Sequence, residues 1–522
     1  MPISLLPGPS QLPLETNYLL FSDVHLGADL VQHARPWTAS RLREELRIDR
    51  ELSAMLDHYR QRRHDDQPWR LIIAGDLVDF MGMSIAAAHD QPVETPLTAE
   101  ERSHGLGSTR DHVVYKMRAV AARHDLVFRK LAEFVAEGHS LVLVRGNHDV
   151  DFYWPTAREA FVQALVERAP DSLEEPIVRQ MFESRIEFRH WFYYVEGLLY
   201  VEHGHQYDET CSYHNVLMPL SPRDPRRIAF SFSDILMRYV VHPTKGLGTS
   251  GHDDMKLFDY VRMAFAMGIA GAAKLGYRFG RAVGAMLRSW REHLSVHAQA
   301  MRAEQEQKLH VLGERLRLGT DKLRALTDLW AKPVTSGFFP ILRTVFLDLA
   351  SAIAASALLV VGLLATNVVP ATYVAPLAAA LGVGIYAWMK ASRVLDPVGA
   401  LRKGADRVAT LMPARFIVMG HTHVPVMETI VEGVTYINLG GWAVDDLDKV
   451  GVVEAASCTH LVIRHMDGVP HAELRAWGTD GPSLVHTSGV LPESGVHAIP
   501  ISGDEPRVDA TDLETDADIR VA

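Results

Sequence analysis

The stretch Leu141-Val142-Leu143-Val144-Arg145-Gly146-Asn147-His148-Asp149 carries four apolar residues almost directly into a glycine, an amide, an imidazole and a carboxylate. The apolar half has the length and composition of a strand. The polar half has turn composition and, alone, reads as a turn. Its weight comes from four more fragments built the same way. Asp23-Val24-His25 follows Tyr18-Leu19-Leu20-Phe21, and Gly75-Asp76-Leu77-Val78-Asp79 follows Leu71-Ile72-Ile73. His203-Gly204-His205 follows Leu198-Leu199-Tyr200-Val201, and Gly420-His421-Thr422-His423 follows Phe416-Ile417-Val418-Met419. Parallel-type strands ending on one edge bring such groups together, and open α/β sheets place their sites at that edge.

The assembled inventory is Asp, His, Asp, Asn, His, His and His. Two divalent cations sharing one carboxylate need such a set. Hard oxygens and borderline imidazole nitrogens, with no thiolate, suit Mn, Fe, Zn or Co better than a structural zinc site. Two ions about 3.5–4 Å apart can clamp a phosphoryl group and generate hydroxide at neutral pH. Singly, each fragment has a plainer reading: a turn with a surface imidazole, a Gly-Asp turn, a surface His pair. The joint order, each fragment after an apolar strand, is what points to chemistry.

On these motifs the chain resembles the calcineurin-like metallophosphoesterase superfamily, over residues 16–206 and 413–445, with the motif series complete. The resemblance implies an α/β fold, a four-layer α-β-β-α sandwich of two mixed sheets flanked by helices, with a dimetal site at the strand ends. It implies that Asp23, His25, Asp76 and His423 hold one metal, and that Asp76, Asn147, His203 and His421 hold the other, so that Asp76 bridges. Manganese is the first expectation for both ions, with iron, zinc or cobalt also suited. His148 is not a ligand in this pattern; it sits beside the phosphate as the catalytic residue, stabilising charge or protonating the leaving oxygen. A bridging group needs two anionic oxygens, which an Asp supplies. An imidazole pushed down by dications and pulled up by a dianionic phosphate is an acid suited to neutral pH. Asp79 and Asp149 are expected to orient ligands, with helix capping as the plainer role for Asp79.

At 522 residues the chain exceeds one ordinary domain, and 48% hydrophobic with 22% charged residues is a globular composition. The net charge of −11 argues against a nucleic-acid surface. Seven acidic residues and one basic residue in 504–518 read as a solvated tail, placed at 479–522. Cys211 and Cys458 have neither metal nor redox spacing and are expected as free thiols. The start of the chain, with three prolines and no positive region, does not read as a secretory signal.

An insertion at 207–412 splits the motif series, and 413–478 returns to the core. Its first part, to about residue 252, is rich in Pro and Gly. It predicts loop with one short helix near 228–239, leaving from the His203 loop and so able to border the substrate site. The second, about 255–330, is helical, with cationic and apolar residues at helical spacing, as in a helix lying on anionic lipid or packed in a bundle. The third carries no charge from 349 to 389. Residues 349–369 and 371–389 are each long enough to span a hydrocarbon core. Lys332 and Arg343 precede this run; Lys390, Arg393, Arg402 and Lys403 follow it. Two basic flanks place both ends of a membrane hairpin in the cytoplasm. One metal site needing both His203 and His421 also requires an even number of spans. A helical hairpin buried in a soluble domain would satisfy the same pattern. Past the last motif, 434–474 alternates like strands, and Asn438-Leu439-Gly440-Gly441-Trp442 reads as a turn whose backbone can support the site.

The expected activity is therefore hydrolysis of a phosphomonoester, phosphodiester or pyrophosphate at a dimetal centre. The expected substrate is a phosphorylated small molecule or a membrane-proximal, lipid-linked one. The expected setting is the inner or plasma membrane with the catalytic domain in the cytoplasm, membrane lipid as partner and no nucleic acid. Within the superfamily, UDP-2,3-diacylglucosamine pyrophosphatase is the nearest lipid enzyme, but this chain has His148 where that group usually has Arg, and it adds the insertion. The same motifs would serve a nuclease of the superfamily, which the acidic balance and the hairpin oppose. A catalytically inactive scaffold would ordinarily lack one or more ligands, and here none is missing.

Overall fold

The computed structural model describes residues 16–31, 39–88, 92–170, 173, 175–244, 268–344, 396–443, 458–478 and 480–485, with isolated helical positions between 361 and 384. It is a mixed α/β structure with two sheets and helices. Strands β1 (Asn17–Phe21), β2 (Trp69–Ala74), β3 (Ser140–Val144) and β4 (Ile186–Arg189) pair in parallel, each with the next. A second sheet contains β5 (Phe192–Val195), β6 (Leu199–Glu202), β7 (Phe416–Met419), β8 (Val426–Val431) and β9 (Val434–Asn438), in the order β5-β6-β7-β9-β8. Strands β10 (Thr459–Met466), β11 (Val469–Gly478) and β12 (Gly481–Leu484) extend the first sheet antiparallel from β1.

Strand alternation explains why the leading segments are apolar throughout. Leu19, Phe21, Leu71, Ile73, Leu141 and Leu143 face one way, into a core shared with helices such as Arg110–Arg123 and Asp125–Ala136. Tyr18, Leu20, Ile72, Ala74, Val142 and Val144 face the other way, into a core shared with Val201, Phe416, Val418 and Ile437 of the second sheet. A strand buried on both faces has no room for polar alternation, and each large apolar side chain buried contributes about 1.5–3 kcal/mol. The second sheet turns Tyr200, Ile417, Met419 and Tyr436 toward Leu401, Ala405 and Val408 of the helix Pro397–Leu411. That helix falls at the end of the predicted insertion, yet it covers the sheet.

The short helix expected near 228–239 is Phe232–Leu236, continued by a π-helical turn at Met237–Val241. Among the described residues, which begin at 268 here, the long helical stretch contains the helices Gly268–His293, Val296–Arg315 and Thr320–Thr327. Ser295 caps the second, and Gly319, at φ 77°, precedes the third. Strand β12 continues the first sheet beyond residue 478, where the tail was expected, pairing antiparallel with β11 so that Gly481 lies opposite Gly478. The chain divides into units Met1–Thr487 and Ser488–Ala522, and the second lies outside the described residues. Among the described residues no helix is long and apolar enough to cross a membrane. The two expected spans, 349–369 and 371–389, lie outside the described residues apart from isolated positions.

Candidate metal centre

The five motif fragments leave the C-terminal ends of β1, β2, β3, β6 and β7. Since β1, β2 and β3 are parallel neighbours and β6 is parallel to β7, these ends point the same way within each sheet. Contacts across the two sheets close the site. Asp76 Oδ2 lies 3.0 Å from His203 Nε2 and 3.9 Å from His25 Nε2. Asn147 Oδ1 lies 3.1 Å from His203 Nε2. His423 Nε2 lies 3.3 Å from His25 Nε2 and 3.2 Å from Asp23 Oδ1. Ligand atoms bound to one ion at about 2.1 Å stand roughly 3.0–3.4 Å apart. The donor spacing is thus that of edges of a coordination polyhedron.

Two groups with metal-holding geometry, Asp23/His25/His423 and Asp23/Asp76/His203, overlap at Asp23. The expected bridging carboxylate was Asp76. Its Oδ2 does face both His25 and His203, so Asp76 and Asp23 both stand between the two groups. His421 is joined to the cluster by its backbone N–H, which donates to Asp23 Oδ2 at 3.1 Å. Its Nε2 meets Asp208 Oδ2 at 3.1 Å.

Backbone strain is concentrated here. Of ten non-glycine residues with positive φ among the described residues, five are Asp23, His25, Asp76, His421 and His423. Each such residue costs about 1–2 kcal/mol, a cost that persists where surrounding structure over-determines a functional geometry. The flanking glycines are required by space. A Cβ on Gly146 would meet Asp76 Oδ1 at 2.1 Å, on Gly75 it would meet His203 Nδ1 at 2.4 Å, and on Gly420 Asp23 Oδ2 at 2.5 Å.

Three observations fit this donor set to divalent ions. First, buried oxygen and nitrogen acceptors converge: Asp23 Oδ1 is buried and, among the described residues, makes no hydrogen bond of good geometry, although His423 Nε2 lies 3.2 Å away. Second, His203 Nδ1 donates to the Ala74 carbonyl at 2.9 Å, which turns its Nε2 lone pair toward Asp76 and Asn147. Third, the cluster's electrostatics call for a cation. Burial alone would lower His203, but Asp76 and Asp23 outweigh it and raise the imidazole to about 9, the direction expected where two carboxylates favour positive charge. Burial and the cationic His148 hold His25 down at about 4.

His148 stands beside the ligands, its ring 4.4 Å from that of His25. Its Nδ1 lies 2.7 Å from Asp79 Oδ1. Against burial, Asp79 and Asp76 raise His148 to about 9. Asp79 therefore orients His148, and it also accepts the Gly82 N–H at 2.7 Å. It caps that turn and not a helix. Asp149 accepts the Leu77 and Gly146 N–H groups at 3.0 and 2.6 Å, tying two ligand loops together; burial and Asp76 raise it to about 7. The turn after β9 also supports the site. Asn438 Nδ2 donates to the Gly420 carbonyl at 2.7 Å and the Trp442 N–H to the Asp23 carbonyl at 2.9 Å.

Sequence reasoning missed several residues. Asp208 accepts the Thr210 N–H at 2.8 Å, an ordinary local turn, and only the fold turns its second oxygen toward His421. Cys211, whose spacing suggests no metal role, forms a group with Asp208 and His421. His124 Nε2 accepts the Gly27 N–H at 2.9 Å while Nδ1 donates to Asp49 at 2.9 Å, clamping the loop that follows His25. A lone His–Asp pair 75 residues apart leaves no local signal. Compared with known proteins, the chain matches no family model and no curated protein.

Proposed function

We propose that this chain is a dimetal phosphoesterase of the calcineurin-like type, with Asp23, His25, Asp76, Asn147, His203, His421 and His423 as metal ligands and His148 as the catalytic residue. One observation carries the reading: Asp23, His25, Asp76, Asn147, His203 and His423, with His421 joined by its backbone, converge at five strand ends, with His148 oriented beside them by Asp79. The core shared by the two sheets, and the helices against the outer face of each, support the four-layer sandwich.

When bound, the two ions, manganese by preference, supply Lewis acidity toward phosphoryl oxygens and lower the pKa of water. The chain's own groups do the rest. In hydrolysis a water oxygen forms a new P–O bond as one of its O–H bonds gives up its proton to solvent, from which His148 is later reprotonated, and the ester P–O bond breaks. The leaving oxygen takes the proton held by His148. Asp79 fixes the ring through Nδ1, so Nε2 is the nitrogen left to deliver that proton. The side chain of His148 is 20% exposed, which leaves it open to a substrate.

The charge-free run 349–389 between basic flanks supports a membrane hairpin, a cytoplasmic catalytic domain and a membrane-proximal or lipid-linked substrate. The test is direct. Purified protein stripped of divalent ions should not hydrolyse p-nitrophenyl phosphate or its phosphodiester counterpart, and Mn²⁺ should restore turnover. Turnover that persists after chelation overturns the reading.

A further inference from the structure

A cavity of about 40 Å³ opens beside Asn147, with room for roughly three water-sized groups. One wall belongs to the core and includes Lys116 and Asp151; the other belongs to the insertion and includes Tyr213, Phe230, Asp234 and Arg238. The cavity is tied to the catalytic loop. Lys116 Nζ donates to the Phe80 carbonyl at 2.9 Å, and the Phe80 N–H donates to the His148 carbonyl at 3.1 Å. The Tyr213 hydroxyl lies 3.2 Å from the Asn147 carbonyl and 3.1 Å from Asp234 Oδ2.

Its polar groups are buried and incompletely used. Asp151 is 6% exposed, and its Oδ1 is buried with no hydrogen bond among the described residues. Lys116 is 4% exposed and makes one hydrogen bond among the described residues, although an ammonium carries three N–H groups. A buried acceptor and a buried donor left short of partners are costly unless something fills them. A hydroxyl group fits both, because it donates and accepts at once. A plain alkyl group would strand both, and a second anion would find the carboxylates of Asp151 and Asp234 offsetting Lys116 and Arg238, so the lining offers it no net positive charge.

We propose that this cavity is the leaving-group subsite and that the alcohol released carries a hydroxyl close to its ester oxygen, so the substrate is a polyol phosphate and not a plain alkyl phosphate. The inference rests on the phosphoesterase reading above. It gives the insertion a role at the site: the loop leaving the His203 ligand supplies half of the subsite, and selection among phosphate esters lies there.

The experiment compares glycerol 1-phosphate with n-propyl phosphate, which has the same carbon chain without the hydroxyls, using the full-length protein and Mn²⁺. A site that hydrogen-bonds a substrate hydroxyl rejects the analogue lacking it, so kcat/KM should favour glycerol 1-phosphate by at least about tenfold. Asp151→Leu should bring the ratio toward one, and Asp151→Asn, which keeps an acceptor oxygen, should preserve most of it. Phosphatidylglycerol phosphate against phosphatidic acid in mixed micelles distinguishes a lipid-borne polyol from a free one; preference in either pair supports the subsite. Hydrolysis of p-nitrophenyl phosphate with equal rates within both pairs overturns the subsite and leaves the phosphoesterase reading standing. Absence of any phosphate ester hydrolysis overturns the phosphoesterase reading itself.

Discussion

Replacing Asp76 with Asn tests the centre most sharply, because it removes a charge and keeps a shape. Asp76 Oδ1 accepts the His148 N–H at 2.8 Å, and an amide oxygen can do the same, so the ligand loops should hold. What disappears is the anion facing His203 Nε2 at 3.0 Å and His25 Nε2 at 3.9 Å. Losing only an orienting partner costs about 10–100-fold in metal affinity, so a carboxylate that faces both groups sets at least the upper figure. At free Mn²⁺ a hundredfold above Kd, one bound ion stabilises the native state by about 2.7 kcal/mol; binding a hundredfold weaker leaves about 0.4 kcal/mol. The assay is urea unfolding with and without Mn²⁺ for wild type and Asp76→Asn. Without metal the variant should be less stable than wild type near neutral pH, since against burial His203 and His148 hold the Asp76 carboxyl well below the usual carboxylate range, so the comparison is of the increment Mn²⁺ adds to each protein. Equal stabilisation of the two proteins by Mn²⁺ would refute the role given to Asp76.

His148→Ala should bind Mn²⁺ as wild type does yet lose about 10²–10⁴-fold in turnover, with a smaller loss for p-nitrophenyl phosphate, whose leaving group needs no proton; an equal loss for alkyl and aryl esters would leave His148 only a charge-stabilising role. Burial holds His139 at about 4 and His460 at about 3, whereas the unfolded chain takes up these protons near pH 6.5. Their contribution is therefore complete above pH 6.5 and is lost as the pH falls toward 4; His139→Asn, whose oxygen can accept the Trp69 N–H now held at 2.9 Å, should flatten that loss, and an unchanged slope in urea titrations would count against it. The full-length protein should resist extraction from membranes by alkaline carbonate, while a deletion joining Phe346 to Ala391 should be extractable and keep its aryl phosphatase activity; recovery of the intact protein without detergent would remove the hairpin.

Read from sequence alone, the chain discloses its ligand types and the strands that carry them. Both are local properties. An apolar run such as Leu141-Val142-Leu143-Val144 followed by Gly-Asn-His-Asp states its own strand and its own turn, and the five repeats of that pattern state a shared edge. The αL backbone of Asp23, His25, Asp76, His421 and His423 was not legible, since Asp and His are enriched at positive φ but adopt it only as a minority conformation. Only tertiary structure brings His25 against His423 across 398 residues, sets Asp23 alongside Asp76 between the two ligand groups, and turns Asp208 toward His421. Only tertiary structure, too, closes a cavity between Lys116 and Asp151 on one side and Tyr213 and Asp234 on the other. The physical reason is the same in each case. Ligand chemistry resides in single side chains and short spacings, whereas the distances among them depend on how two sheets and an insertion pack, and no local pattern encodes that packing.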